Sequence, residues 1–408
     1  MRKEKLIGLI LVGIFGLGVL AAEPIKIGGL FPLTGPLAPY GKEIVKGFKM
    51  AIEQINAAGG VLGRPLEAVI KDTATSPDVG RDAAKKMIEL DGVVAIVGAL
   101  ASGVTLAVAT VTIANHVPLI SPSSTSPALT ELEDDDFVFR TCPSDALQGI
   151  VEAQLAKNLG YKKVAVIFVN NAYGKGLAEV FKAHFEDAKH VVTAMIPYEE
   201  NKPSYRGEVE KALAGEPDAI NLIAYPVDGN KIIVEALEEG FEGEFIFTDG
   251  MKGEGVTPGP ACPEKGPCDE QYLEGSFGTA PGALEVAARA AFEKDYEAMF
   301  GPSGIPFRAE AYDATVLIAL AIAAAGEASG PAIQAHLRQV ANPPGKEFTY
   351  GQLAEALKAA AAGEDINWQG VSGPITWDEN GDVVEGAFEI WTVKNCKVRS
   401  VWVVQIQG

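Results

Sequence analysis

The chain has 408 residues, 48% hydrophobic and 22% charged, which excludes a fibrous or disordered protein and is long enough for two lobes with separate cores. Its formal charge is −20, from 34 basic and 54 acidic residues. A surface this acidic repels phosphate backbones and anionic headgroups, which argues against nucleic acid and the membrane surface as partners. The chain opens with the features of an export signal. Arg2, Lys3 and Lys5 precede an apolar stretch from Leu6 to Leu20, and Val19-Leu20-Ala21 supplies small residues for cleavage after Ala21 or Ala22. Residues 1–22 are therefore expected to be a signal peptide, and the mature chain to work outside the cytoplasm. The longest later apolar run, Ala314 to Gly326, has 13 residues, too few to cross a bilayer, and is expected to be a buried helix.

Beyond the export segment, short apolar runs recur between turn residues: 25–31, 66–72, 93–99, 117–121, 163–169, 191–197, 219–225 and 244–249. The segments between them have helical spacing. In "EIVKGFKMAIEQINAAGG", Ile44, Val45, Phe48, Ile52 and Ile55 fall three to four residues apart, and Gly59-Gly60 ends the helix. Strands that are apolar throughout, rather than alternating, belong to sheets covered on both faces. The reading is an α/β fold with two sets of parallel strand–helix units, and the polar, proline-containing stretch 137–145 is the expected crossing between them.

Ligands of open α/β sheets bind at the carboxyl ends of strands. Two loops there are rich in hydroxyls. Ser102 and Gly103 follow one strand and open a helical pattern, so Ser102 is expected to be the N-cap of a helix whose free N–H groups favour an anion. "LISPSSTSPALTE" follows the next strand, and Ser123 and Thr125 within it would add donors for a carboxylate; the alternative is that these side chains only cap helices and satisfy turns. Asp249 ends another strand and is the candidate partner for an ammonium group, or else a turn former. Tyr40, Tyr173 and Tyr225 occupy comparable loop positions.

Catalytic readings find little support. No G-x-S-x-G elbow occurs, and "GPLAPYGKE" departs from a phosphate-binding loop in spacing and in carrying Glu43 after Lys42. No cofactor or metal is expected: a zinc site needs about four Cys or His ligands, and Cys262 and Cys268 have no other such residue nearby in sequence. In an oxidising compartment those two are expected to close a local disulfide, while Cys142 and Cys396 either pair with each other or stay free.

The export segment, "IKIGGLFPLTGPLAPYGKEIVKGFKMAIEQINAAGGVLGRPLE", "SPSSTSPALT", "FRTCPSD", "NNAYGKGLAEVF" and "GPITWDENGDV" together resemble the leucine/isoleucine/valine-binding type of periplasmic substrate-binding protein that feeds an ABC transporter. The resemblance covers nearly the whole mature chain. It implies two Rossmann-like lobes with parallel-rich sheets joined by three hinge crossings, one lobe spanning 23–140 and 280–386, the other 141–279 and 387–408. Cys142 and Cys396 would then lie just beyond the first and third crossings. It further implies that Ser102 and Thr125 bind an amino-acid ligand, with Ser123 where the family often has alanine and Asp249 where it often has glutamate. Tyr40, Tyr225 and Phe307 would line the side-chain pocket, and Tyr173 would close over the ligand. The implied protein is a monomer that is not an enzyme, with a small amino acid as ligand and a membrane ABC permease as partner. An amide, urea or small carboxylate ligand, or a ligand-sensing role, is the alternative.

Overall fold

The structure, a computed structural model, describes residues 22–253, 273–282, 287–395 and 397–407. The expected export segment up to Ala21 lies outside them, as do Cys262, Cys268 and Cys396.

Five strands, β1 (Ile25–Phe31), β2 (Leu66–Asp72), β3 (Ala95–Gly98), β4 (Leu119–Ser121) and β5 (Val138–Arg140), form one wholly parallel sheet in the order β2-β1-β3-β4-β5. A second sheet contains β6 (Lys163–Val169), β7 (Val191–Tyr198), β8 (Ala219–Ile223), β9 (Glu244–Phe247) and β10 (Phe277–Pro281), which are parallel to their neighbours among these five. A small parallel pair, β11 (Lys346–Thr349) with β12 (Ile366–Gln369), stands apart. Each of the eight apolar runs holds one observed strand, and three, at 25–31, 66–72 and 163–169, match residue for residue.

The seven-stranded second sheet, in the order β14-β13-β10-β9-β8-β6-β7, also contains a hairpin absent from the sequence-based expectation. β13 (Glu385–Val393) pairs antiparallel with β10 and with β14 (Val398–Gln407). Burial alternates along most of β13, as it does where an antiparallel edge covers one face only, so the criterion of continuous hydrophobicity passes over it.

The first sheet is backed by helix Arg308–Ala325, in which every residue from Arg308 to Ala323 is buried. A helix apolar all round belongs in the interior, which explains the run at 314–326. Among the described residues no single helix is long and apolar enough to cross a membrane. Helix Ala38–Ala57 lies against this central helix at Gly47, where a Cβ would sit 2.1 Å from the Arg308 carbonyl oxygen. Only glycine permits that approach.

The chain passes between the two sheets three times: after β5, after β10 and before β13. Arg140, the last residue of β5 and 2% exposed, organises the roots of two crossings. Its Nε donates to Asp382 Oδ1 at 2.6 Å and its Nη2 to Asp382 Oδ2 at 2.5 Å, while Nη1 donates to the carbonyls of Ser124 and Ser126. Its own N–H donates to Gly381 O and its carbonyl accepts from Trp377 Nε1.

Cys142, just beyond this point, is a free and fully buried thiol, so the bridge to Cys396 is not formed. Its surroundings are packed core, and burial raises the thiol well above its ordinary pKa.

Candidate ligand-binding site

A narrow cavity lies between the two sheets. Its walls come from strand carboxyl ends and adjoining helix starts. One lobe contributes Leu37, Tyr40, Leu100, Ala101, Ser102, Ser123 and Phe307; the other contributes Tyr173, Tyr225, Asp249 and Gly250. Seven of the eight residues singled out from sequence therefore meet at one place. The eighth, Thr125, does not line the cavity. Its Oγ1 donates to Asp145 Oδ2 at 2.9 Å, and both residues are buried.

Ser102 is the first residue of helix Ser102–Ala114, with Ala101 in the N-cap position and no side chain capping the turn. The expectation of Ser102 as N-cap is corrected by one residue. Its Oγ accepts from the Ser126 N–H at 3.2 Å, which leaves the hydroxyl proton free to donate. That proton and the helix N-terminus suit a carboxylate.

Most of the hydroxyl-rich loop serves the fold. Ser121 and Ser124 donate to the carbonyls of Ala99 and Leu100, Ser124 also bonds Thr105, and Ser126 caps the short turn Pro127–Leu129. Ser123 reaches the cavity, but its Oγ donates to Leu100 O at 3.2 Å. The many small donors after β4 thus satisfy the bent backbone after β3 and hold Ser102 in place.

On the facing wall, Asp249 Oδ1 accepts from Gln148 Nε2 and Tyr173 Oη, both at 2.9 Å. Asp249 is 5% exposed and makes no ion pair among the described residues. Burial raises its pKa, and the bonds from Gln148 and Tyr173 draw it back. Asp145 is buried close enough to couple with it. Burial first, then the Asp249 charge, raise the Asp145 pKa well above the ordinary carboxylate value.

Tyr173 and Tyr225 stack with ring centroids 5.8 Å apart and planes 8° apart, and Asn171 Nδ2 donates to Tyr225 Oη at 3.2 Å. Phe307 enters the cavity from a residue with φ of 69°, a left-handed backbone rare for an aromatic. Such strain marks a position held by its surroundings. Among the described residues no group of three or more His, Cys, Asp or Glu has the arrangement to hold a metal ion.

Asp145 and Gln148 escape the sequence reading. Both lie at the start of helix Asp145–Asn158, where an acid after Ser144 has the ordinary form of a helix N-terminus.

Residues 24–397 match the family described as periplasmic binding protein. The chain is 28% identical over 364 residues to the chemotactic signal transduction system substrate-binding protein BasB of Halobacterium salinarum, covering 87% of this chain and 84% of that one. It is 29% identical over 398 residues to the leucine-, isoleucine-, valine-, threonine-, and alanine-binding protein of Pseudomonas aeruginosa, covering 96% and 95%. Its fold is similar to the crystal structure of the branched-chain amino acid transporter substrate binding protein LivJ of Streptococcus pneumoniae in complex with isoleucine, with a TM-score of 0.77, 26% identity and coverage of 94% and 100%. With the matched region running from β1 through β13 and including every residue that lines the cavity, the chain belongs to the periplasmic binding protein family.

Proposed function

We propose that this chain is an extracytoplasmic solute-binding protein, exported by its first 22 residues, that captures a branched-chain amino acid between its lobes and delivers it to an ABC permease. The lobes are taken as 23–140 with 280–386 and 141–279 with 387–408. The observation that carries the reading is Asp249, a buried carboxylate lining a small cavity without an ion-pair partner among the described residues and facing a wall that includes the Ser102 helix start. A buried charge without a partner is costly, so the site is built for a ligand that supplies a cation and, at the other end, a carboxylate. Leu37, Leu100, Phe307 and the tyrosine rings leave an apolar space for the side chain. The similarity to branched-chain amino-acid binders supports the same ligand class.

Contacts from both lobes mean that the ligand binds the closed form better than the open one, and this difference drives closure. The protein acts by binding and release, as a monomer, and carries no catalytic role.

Leucine, isoleucine or valine is expected to raise the melting temperature of protein stripped by unfolding and refolding, by mass action on the folded form. A screen of the twenty amino acids with amides, urea and small carboxylates tests this. Stabilisation by amides or carboxylates alone would remove Asp249 from the role of ammonium partner. The similarity to a chemotactic binding protein favours ligand sensing as a second reading, which measured uptake through a permease would set aside.

A pH dependence follows. The ammonium group favours ionised Asp249, so binding lowers a pKa that burial has raised. Affinity is therefore full above the raised value and falls as pH drops through it, by at most about tenfold per pH unit for one proton taken up per ligand released. Calorimetric titration of leucine across the acidic range checks the sign; affinity that rises on acidification contradicts it.

A further inference from the structure

The lobes are also held together by hydrogen bonds that involve no ligand atom. Tyr40, in the first turn of helix Ala38–Ala57, directs its hydroxyl at the carbonyl oxygens of Asp249 (2.8 Å) and Lys252 (2.7 Å) in the opposite lobe. It is 2% exposed and lines the ligand cavity. Its neighbours Ala38, Pro39 and Lys42 line a broad hollow between the lobes with Val227 and Gly253, so Tyr40 stands where the buried cavity meets the open cleft. Other side-chain bonds join the lobes, among them Ser126 Oγ to Ala172 O at 2.8 Å, Thr125 to Asp145, and Thr141 Oγ1 to Glu310 O at 2.9 Å. Tyr40 alone of these donors also touches the cavity.

The carbonyls that Tyr40 reaches belong to the turn that carries the acid. Asp249–Met251 is a single 3-10 turn, closed by the bond from Lys252 N to Asp249 O. The ligand would grip this turn through its carboxylate, and Tyr40 grips it through its backbone.

We propose that Tyr40 is a positioning residue for closure, a latch whose hydroxyl holds the lobes together before ligand arrives and sets how fast ligand leaves. In an open cleft the hydroxyl and both carbonyls are hydrated; on closing they exchange water for one another, a net gain of the size of one neutral hydrogen bond. The stripped protein then populates a closed form, and release waits on breaking the latch.

The kinetic arm of the test rests on the amino-acid reading above and uses L-leucine; the scattering arm needs no ligand. Tyr40→Phe keeps the ring and removes the hydroxyl. Stopped-flow fluorescence is expected to show leucine leaving the variant about 3- to 10-fold faster, the effect of one such bond, with a smaller change in association rate. Small-angle scattering is expected to show stripped wild type more compact than stripped Tyr40→Phe, and the leucine-loaded forms alike. Equal dissociation rates together with equal stripped dimensions overturn the latch. If leucine fails to bind wild type, the amino-acid reading falls while scattering of the stripped pair still decides the latch. If Tyr40→Phe does not fold, stripped wild type alone decides: scattering with no contribution from the closed form overturns the proposal.

Discussion

Replacing Asp249 with asparagine is expected to lower the affinity for leucine at least a hundredfold. Asparagine keeps the shape and can still accept from Gln148 Nε2 and Tyr173 Oη at its side-chain oxygen, so the cavity wall survives. What is lost is the charge opposite the ligand ammonium. The wall offers no substitute, because no other acid is among the residues that line the cavity. Truncating one member of a buried, hydrogen-bonded charge pair costs about 2–5 kcal/mol, and a hundredfold corresponds to about 2.8 kcal/mol. Titration calorimetry of stripped protein measures it. The variant should also lose the acid-side fall in affinity, since the titrating group is gone. Submicromolar leucine binding by Asp249→Asn would remove this residue from the ammonium site.

Arg140→Met is expected to cost about 3–5 kcal/mol of folding stability, the range for breaking a buried ion pair by deleting one partner. The guanidinium meets Asp382 through two bonds and also serves the carbonyls of Ser124 and Ser126 and the hydroxyl of Thr130. Removing it strands a carboxylate whose side chain is 12% exposed and frees the hydroxyl-rich loop that supports Ser102. Denaturant unfolding followed by circular dichroism gives the difference. The double change Arg140→Met with Asp382→Leu should recover part of the loss, because no charge is then left behind. A single variant within about 1 kcal/mol of wild type would show that the pair contributes little beyond a surface bridge.

The strands that build the cavity were legible because each is a run of apolar residues between turn formers, and the carboxyl-end rule then located the ligand. Seven residues chosen on that basis, with the family resemblance, line one space. Individual roles were less legible. Thr125 and Ser123 have the same chemistry in sequence, yet one hydroxyl holds a buried acid and the other a backbone carbonyl, a distinction made by loop curvature and not by composition. Tyr40 reads as a side-chain wall, and its bonds to two carbonyls more than 200 residues away along the chain become visible only when the lobes meet. Asp145 and Gln148 look in sequence like an ordinary helix start, and the Gln148 bond to Asp249 spans 101 residues of chain. The β13–β14 hairpin was missed because alternation, and not continuous apolarity, marks an edge.

Arg140 has a mechanical consequence as well as an energetic one. Through its side chain, its N–H and its carbonyl it rivets the end of β5 to residues 377–382, so the strands entering the first and third crossings share one anchorage. Two straps fixed to one plate cannot slide or twist against each other. They bend together, as about a single axle. For the binding and release proposed above, capture and discharge would then follow one shared bend at these two crossings, travelled in opposite directions.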